Sequence, residues 1–464
     1  MSVAESDGEA DLVVVGAGLG GYCAALQGAQ AGASVILIEK QAEAGGTSIM
    51  SGGLFAFAGT DLQRASGIDD NDTRFYDDLR RVGNYANDDA LVHKYIEHQL
   101  GTYYWLKGHG VQFGAPEASG GQSVPRSHTT SSPQVFAALG EHIAATKNIN
   151  VMMNTRVERL VRNGADGRVT GVIAGHDGHA LTISARHGVI VTSGGFSRNR
   201  RLIECFAPLQ VDVNTVCGIG CGGDGLLMTL KLGAGLRDMA YVKSTFGNHP
   251  DAGSVRHRVL FPVYRGAIAV NRSGCRFFNE SANYKALGDA CLQQTDGIAF
   301  QIFDQTVMDK SSAGVVTFDF GEALESGFLL KAATLAELAT KIGLDANALT
   351  ETVNCYNDAI RCGRPDEFGR TALTNAFGTL GALERPPYYA YPSVNVMLGT
   401  YCGITIDAAA RVVDVFDAPI EGLFAAGEVH GGFHGAAYMT GSGLGKAAIF
   451  GRIAAASALG VQLQ

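Results

Sequence analysis

The apolar positions of this chain fall into short runs and helical stripes whose order predicts an α/β protein. Ala10-Asp11-Leu12-Val13-Val14-Val15 reads as a buried strand that stops at Gly16-Ala17-Gly18-Leu19-Gly20-Gly21. A small-residue, helix-compatible stretch runs from Tyr22 to Ala31, and Ser34-Val35-Ile36-Leu37-Ile38 forms a second strand ending in Glu39. Between 73 and 109, apolar residues such as Phe75, Leu79, Val82, Leu91 and Tyr95 recur at helical spacing and predict amphipathic helices. Short strands follow at Val151 to Val157, Val169 to Ala174, Ala180 to Ala185 and Gly188 to Thr192, divided by the turn pairs Asp166-Gly167 and Asp177-Gly178. They predict a β-meander inserted into a parallel sheet. From Lys243 to Ala390, Pro and aromatic residues increase, and helices are expected at Leu335 to Ile342 and Asp345 to Cys362. Gly422 to Glu428 returns to a strand ending in Gly and an acid, and a helix is expected from about Gly443 through Arg452. The expected architecture is a Rossmann-type domain over 1–242 and 391–464, interrupted by an α+β domain over 243–390.

The first two strands and the helix between them carry chemistry. Gly16 permits a tight turn, Gly18 lets the backbone approach a pyrophosphate, and Gly21 allows close packing of helix on strand. The helix N-terminus then meets the diphosphate charge. Glu39 follows about twenty residues after the glycines, where a carboxylate accepts ribose hydroxyls. Strand, glycines, helix, strand and acid in register predict a dinucleotide site.

Composition narrows the class. The 464 residues allow two or three cores; 46% are hydrophobic, 17% are charged and 62 are glycine, as expected for a compact α/β protein with many tight turns. A net charge of -9 with scattered Lys and Arg gives no footprint for nucleic acid. No apolar run approaches the ~20 residues that span a bilayer. Met1 to Glu9 lacks the regions of a signal peptide and reads as a frayed tail. The nine cysteines form no CxxC, so reduced thiols in a cytoplasmic protein are expected. His176/His179 sits in a Gly-rich turn without a carboxylate cluster and is expected at the surface, and no metal site is expected there or at His430/His434.

Taken together, the motifs resemble the flavoprotein family of soluble fumarate reductases, succinate dehydrogenase flavoprotein subunits and 3-ketosteroid dehydrogenases. The matching segments are GAGLGG, Glu39-Lys40, Gly45-Gly46-Thr47-Ser48, Ser51-Gly52-Gly53, Thr192-Ser193-Gly194-Gly195-Phe196, Gly223-Asp224-Gly225, Val270-Asn271-Arg272, Arg276-Phe277-Phe278-Asn279-Glu280 and Ala425-Ala426-Gly427-Glu428. The resemblance implies FAD, with the 243–390 region as a capping domain. No histidine stands at 47–60, so the FAD is expected to be non-covalent. The cofactor residues it implies are Gly16, Gly18, Gly20, Gly21, Glu39, Lys40, Gly46, Thr47, Ser48, Ser51, Gly52, Gly53, Val157, Ser193, Gly194, Gly195, Asp224, Gly427, Glu428, Ser442, Gly443 and Leu444. Glu428 is expected at the ribityl chain. The helix opening near Gly443-Leu444 is expected to aim its N-terminus at the flavin pyrimidine edge, where reduction leaves negative charge.

The substrate segments depart from fumarate reductases, whose histidines and arginines clamp a dicarboxylate. The segment Asp238-Met239-Ala240-Tyr241 leads to Ser244-Thr245 rather than histidine. Met397 to Gly403 and His434-Gly435-Ala436-Ala437-Tyr438-Met439-Thr440-Gly441 likewise lack the family's histidine and arginine. Arg265 is the one match to the proton-donor arginine. Leu398-Gly399-Thr400, Tyr438 and the segment from Asn279 to Tyr284 resemble 3-ketosteroid dehydrogenases instead. The implied reaction is α,β-desaturation of a ketone. Tyr438 and a backbone N–H near Ser442 or Gly443 polarise the carbonyl, and Tyr284, helped by Tyr103 or Tyr104, removes the α proton. His434 is expected to touch flavin or substrate, and Arg126 to meet a substrate carboxylate or solvent. An arginine in the pocket, with the short chain, favours a small keto acid such as 4-oxocyclohexanecarboxylate over a 3-ketosteroid. The electron acceptor is expected to be O2, a quinone or a dye. The alternatives are an ene-reductase of an unsaturated acid, using Arg265, and a flavin subunit of an electron-transfer complex.

Overall fold

The computed structural model describes residues 7–164, 167–253, 258–282, 284–373 and 378–463, with the backbone alone at 284. The expected turn residue Asp166 and most of the expected tail, residues 1–6, lie outside these. The chain divides into two compact units, one of 1–211, 217–242 and 399–464, the other of 212–216 and 243–398. The second boundary falls past 390 because a strand, Tyr388–Val396, runs straight through that point. Residues 212–216 join the second unit through the Thr215–Met397 bridge and the Val216 N–H donated to the Met397 carbonyl.

The first unit is built on a mostly parallel sheet. Its strands are β1 (Gly8–Val15), β2 (Val35–Ile38), β3 (Ile149–Met152), β4 (Arg156–Arg162), β5 (Val169–His176), β6 (His179–Val191), β7 (Arg411–Val413) and β8 (Pro419–Ala425). The order is β7-β8-β6-β1-β2-β3, with β4 and β5 continuing antiparallel from β6. Leu12, Val13 and Val14 are fully buried, as are Leu37 and Val189, which explains the unbroken apolar runs. Helix α1 (Leu19–Gln30) follows β1, α2 spans Asp89–Gly108, and α3 spans Ser442–Leu459.

Three expectations change. The tail is ordered from Asp7, whose N–H donates to the Thr182 carbonyl, and β1 already begins at Gly8. The expected strand from Val151 to Val157 is the end of β3 and the start of β4, broken where Asn154 takes φ +53°. The strands expected at 180–185 and 188–192 are one, β6, because Arg186 stays in extended backbone with its guanidinium paired to Glu9 and Asp11. A register shift between Ala10 and Leu12 absorbs the mismatch.

The second unit holds an antiparallel sheet ordered Thr245–Asn248, Tyr388–Val396, Ala299–Asp304 and Ile268–Val270, with Leu330–Ala332 also on Tyr388–Val396. Helices Tyr284–Leu292, Leu335–Ile342 and Ala346–Arg361 accompany it. The last two match the expected helices because their apolar faces and their Thr334 and Asp345 caps are local signals. Among the described residues, no helix is long and apolar enough to cross a membrane.

Candidate active site

The glycine loop after β1 leaves no room for side chains. Gly16 sits at φ +111°, and a Cβ there would approach the Thr192 carbonyl oxygen to 2.6 Å. A Cβ on Gly21 would overlap the Gly16 carbonyl. Gly18 caps α1 with no side-chain acceptor, so the first-turn N–H groups are left for an anion. Glu39 is anchored beside this loop, accepting the Ala17 N–H through Oε2 and the Gln41 N–H through Oε1, each at 2.9 Å.

The other expected cofactor residues gather on the same unit. Thr47, in the short turn Gly46–Ile49 with Ser48, accepts the Gly218 N–H at 3.1 Å. Ser51 bonds Ser132 at 2.9 Å; Gly52 opens on free space, while Gly53 takes φ +69° against the Thr130 carbonyl. Ser193 Oγ is buried without a hydrogen-bond partner in the turn that Gly194 bends at φ +75°. A Cβ on Gly195 would overlap Glu428 and Thr400. Gly20 packs against α3, Gly427 takes φ +80°, and Val157 is a buried residue of β4. Lys40 and Asp224 form an ion pair with each other, and Arg156 adds a 2.7 Å bond to Asp224. A glycine-lined cradle, an uncapped helix, an anchored acid and an orphaned hydroxyl suit a flavin dinucleotide.

The loop before α3 is pinned from several sides. The Ala436 N–H donates to the Gly83 carbonyl and the Thr440 N–H to Gly120; Gln122 Nε2 donates to the Thr440 carbonyl at 2.9 Å. Helix α3 then opens from Gly441, at φ +85°, with no side-chain cap. Its Gly443 and Leu444 stay part-exposed, while Gly445 to Ala456 are buried, so the start of the helix is less enclosed than its body. The Gly443 N–H donates to the Tyr438 hydroxyl at 3.4 Å, and Ser442 Oγ donates to the Met439 carbonyl. The Tyr438 ring lies 4.6 Å from Tyr401 and 5.1 Å from His434 between centroids, and Tyr401 meets His434 at 5.4 Å. Burial raises the Tyr438 phenol, which therefore stays protonated at neutral pH.

Several expected residues stand elsewhere. Tyr103 is buried on α2 with its hydroxyl donated to Asp61 at 2.6 Å, among Phe57, Phe113 and His128. Burial and the Asp61 carboxylate push its phenol far up. Tyr104 is 42% exposed and accepts a bond from Arg64. The α2 tyrosine near the cluster is Tyr95, 4.7 Å from Phe433; Tyr103 lies eight residues, about 12 Å, along the helix from it. Arg126 does not meet solvent. It is fully buried, bidentate to Asp70 at 2.7 and 2.8 Å, and bonded to Asp78 at 2.6 Å. In the second unit, Arg265 lies over the Phe318 ring at 4.6 Å and its carbonyl accepts Lys310 Nζ. Tyr284 begins the helix Tyr284–Leu292.

Sequence reasoning missed Tyr401 and Lys446. Tyr401 takes φ +57°, rare for a residue with a Cβ, and only the fold shows its stacking. Lys446 had a usable signal, a cation inside the otherwise apolar start of α3. It is buried and donates to the His430 carbonyl at 2.6 Å. Burial pushes its ammonium down to about 8, while the charges of Glu428 and Asp238 oppose that shift. Glu428 accepts the Thr400 N–H at 2.8 Å, Asp238 accepts the Gly432 N–H at 2.7 Å, and burial raises both carboxyls.

Parallel sheet, glycine cradle and open helix N-terminus together define a flavin-dependent oxidoreductase. The chain belongs to the family described as FAD binding domain, which matches residues 11–444. It binds FAD and acts on CH–CH groups. It is 33% identical over 451 residues to "Probable fumarate reductase Ifc3" of Shewanella frigidimarina (strain NCIMB 400), covering 96% of this chain and 74% of that protein. It is 30% identical over 522 residues to 4-oxocyclohexanecarboxylate 2-dehydrogenase of Sinomonas cyclohexanicum, covering 92% of this chain and 89% of that one. A solved structure of 3-ketosteroid-delta4-(5alpha)-dehydrogenase from Rhodococcus jostii RHA1, in complex with 4-androstene-3,17-dione, is similar with a TM-score of 0.79 at 25% identity, covering 98% of each chain.

Proposed function

We propose that the protein is an FAD-dependent dehydrogenase that introduces a double bond α,β to a ring ketone. The observation that carries this reading is the Tyr438 phenol at the open end of α3, receiving the Gly443 N–H. Raised by burial, it serves as a hydrogen-bond donor and not as a base. Accepting one hydrogen bond strengthens the one it donates. The Ser442 and Gly443 N–H groups are already given to the Met439 carbonyl and the Tyr438 hydroxyl, so the phenol is the donor to the ketone oxygen, which is stabilised as it gains enolate charge by several kcal/mol. The α proton is assigned to Tyr284, as the resemblance to 3-ketosteroid dehydrogenases implies. FAD, which the cradle of Gly16, Gly18 and Gly21 with Glu39 would hold, would supply the two-electron acceptor for the β hydrogen. Tyr401 and His434 form the aromatic wall beside the phenol. The substrate is a small oxocyclohexane-type keto acid or a 3-ketosteroid, in keeping with the named relatives.

The reverse reaction, reduction of an unsaturated acid with Arg265 as proton donor, is favoured by the similarity to fumarate reductases. It needs guanidinium groups at a carboxylate, and Arg126 is already committed to Asp70 and Asp78. Anaerobic mixing of the oxidised holoprotein with 4-oxocyclohexanecarboxylate and with a saturated 3-ketosteroid separates the two. Bleaching of the flavin band by either ketone supports desaturation. If neither bleaches it, and fumarate reoxidises the dithionite-reduced protein, the reading is overturned.

A further inference from the structure

Lys446 has no part in the reaction described above, yet a buried ammonium in an apolar helix is expensive and calls for a role. It stands two residues beyond Leu444, about 3 Å further along the axis of α3, just behind the end of the helix that stays open. It is 2% exposed, and its hydrogen bond to the His430 carbonyl ties α3 to the segment that follows the turn Gly427–Val429. Three titratable groups act on it electrostatically: Glu428, Asp238 and the buried Cys402 thiol. Its neighbour His430 is kept neutral by burial and by the Lys446 charge itself. The two carboxylates come from different segments, and neither has a direct hydrogen bond from a cation among those described. Glu428 is held by Thr400 and Asp238 by the Gly432 amide. Lys446 is thus a cation that acts on two part-buried carboxylates next to the cofactor cradle, sharing Asp238 with Arg237. Its ammonium, pushed down by burial to about 8, still carries its charge at neutral pH.

We propose that Lys446 is a positioning residue that tunes the cofactor site electrostatically, its fixed charge offsetting Glu428 and Asp238 and reinforcing the positive N-terminus of α3, so that the bound flavin is more readily reduced. Electron transfer to the flavin adds negative charge to the site. A buried cation lowers the energy of that state, and uncompensated carboxylates raise it. The inference rests on FAD binding alone and not on the ketone reading, and its readout needs no substrate.

The test is the midpoint potential of the bound flavin, measured anaerobically by equilibration with reference dyes. In Lys446→Met the reduction equilibrium is expected to fall at least tenfold, about 30 mV for a two-electron couple. Lys446→Arg, which keeps the charge, is expected to stay within threefold of the parent. The double variant Lys446→Met with Asp238→Asn is expected to recover most of the loss, because it removes one of the two charges left uncompensated. A merely structural tie to the His430 carbonyl would not be restored by changing Asp238. If Lys446→Met fails to retain FAD, Asp238→Asn alone decides: it is expected to raise the potential. An unchanged potential in Lys446→Met, no recovery in the double variant, or an unchanged potential in Asp238→Asn overturns the proposal.

Discussion

Tyr401 stacks on Tyr438, ring centroids 4.6 Å apart at an interplanar angle of 30°, from a backbone in the left-handed region at φ +57°. A side chain held in an unfavourable backbone well is fixed by its surroundings, and here the surroundings are Tyr438 and His434. An aromatic pair of this kind contributes about 0.5–1.5 kcal/mol beyond its buried area. Tyr401→Ala should therefore loosen the phenol and slow flavin reduction by ketone roughly tenfold, whereas Tyr401→Phe, which keeps the ring, should not. Equal rates for both variants in rapid-mixing experiments would remove Tyr401 from the positioning of Tyr438.

Tyr438→Phe isolates the hydroxyl. Losing one donor to a developing oxyanion typically costs about 10²–10³ in rate. The rate of flavin reduction by a ring ketone should fall by that factor with the flavin spectrum and FAD content unchanged. A loss below tenfold would mean that another group polarises the carbonyl.

The FAD-binding class and the strand–helix–strand start of the chain were legible because their signals are local: strand, glycines, helix, strand and acid lie within forty residues. The expected helices at 335–342 and 345–362 were legible for the same reason. The tyrosines were not. Tyr95 and Tyr103 share one helix, and sequence spacing does not say which end approaches Tyr438; the Asp61 partner of Tyr103 is 42 positions away. Arg126 misled for the same reason, since its carboxylates lie 56 and 48 positions away and no local pattern announces them. Long-range charge pairing was invisible, while periodicity was not.

Those distant partners make Arg126 a stability residue. Arg126→Met leaves Asp70 and Asp78 buried without their cation. Breaking a buried pair by removing one partner destabilises by about 3–5 kcal/mol. Denaturant unfolding of the holoprotein should show that loss. A variant of near-parental stability with a raised KM for a keto acid would instead return Arg126 to the substrate site.

His128 sets an acid limit. It is buried, bonded to the Arg126 carbonyl through Nδ1 and to Thr60 Oγ1 through Nε2, and burial pushes it down to about 4. The unfolded chain takes up this proton near pH 6.5, while the folded protein stays neutral. The contribution is therefore intact above pH 6.5 and declines as pH falls toward 4, by about 3 kcal/mol in all. Between pH 7 and 4 the Tm gap separating the parent from His128→Gln should narrow. A gap that does not change with pH would show that His128 carries no such linkage.

Gly195→Ala tests the cofactor cradle without touching the phenol. A Cβ at 195 would overlap the Glu428 carboxylate and the Thr400 hydroxyl, which the Thr400 N–H bond to Glu428 holds in place. The atoms in the way belong to an anchored carboxylate and a fully buried threonine, so neither can swing aside cheaply. Displacing Glu428 also disturbs the charge balance with Lys446. The purified variant should therefore lose most of its FAD, read from the ratio of flavin to protein absorbance, and added FAD should restore little. Full FAD content in Gly195→Ala would mean that Glu428 is free to move and that the cradle is looser than its packing indicates.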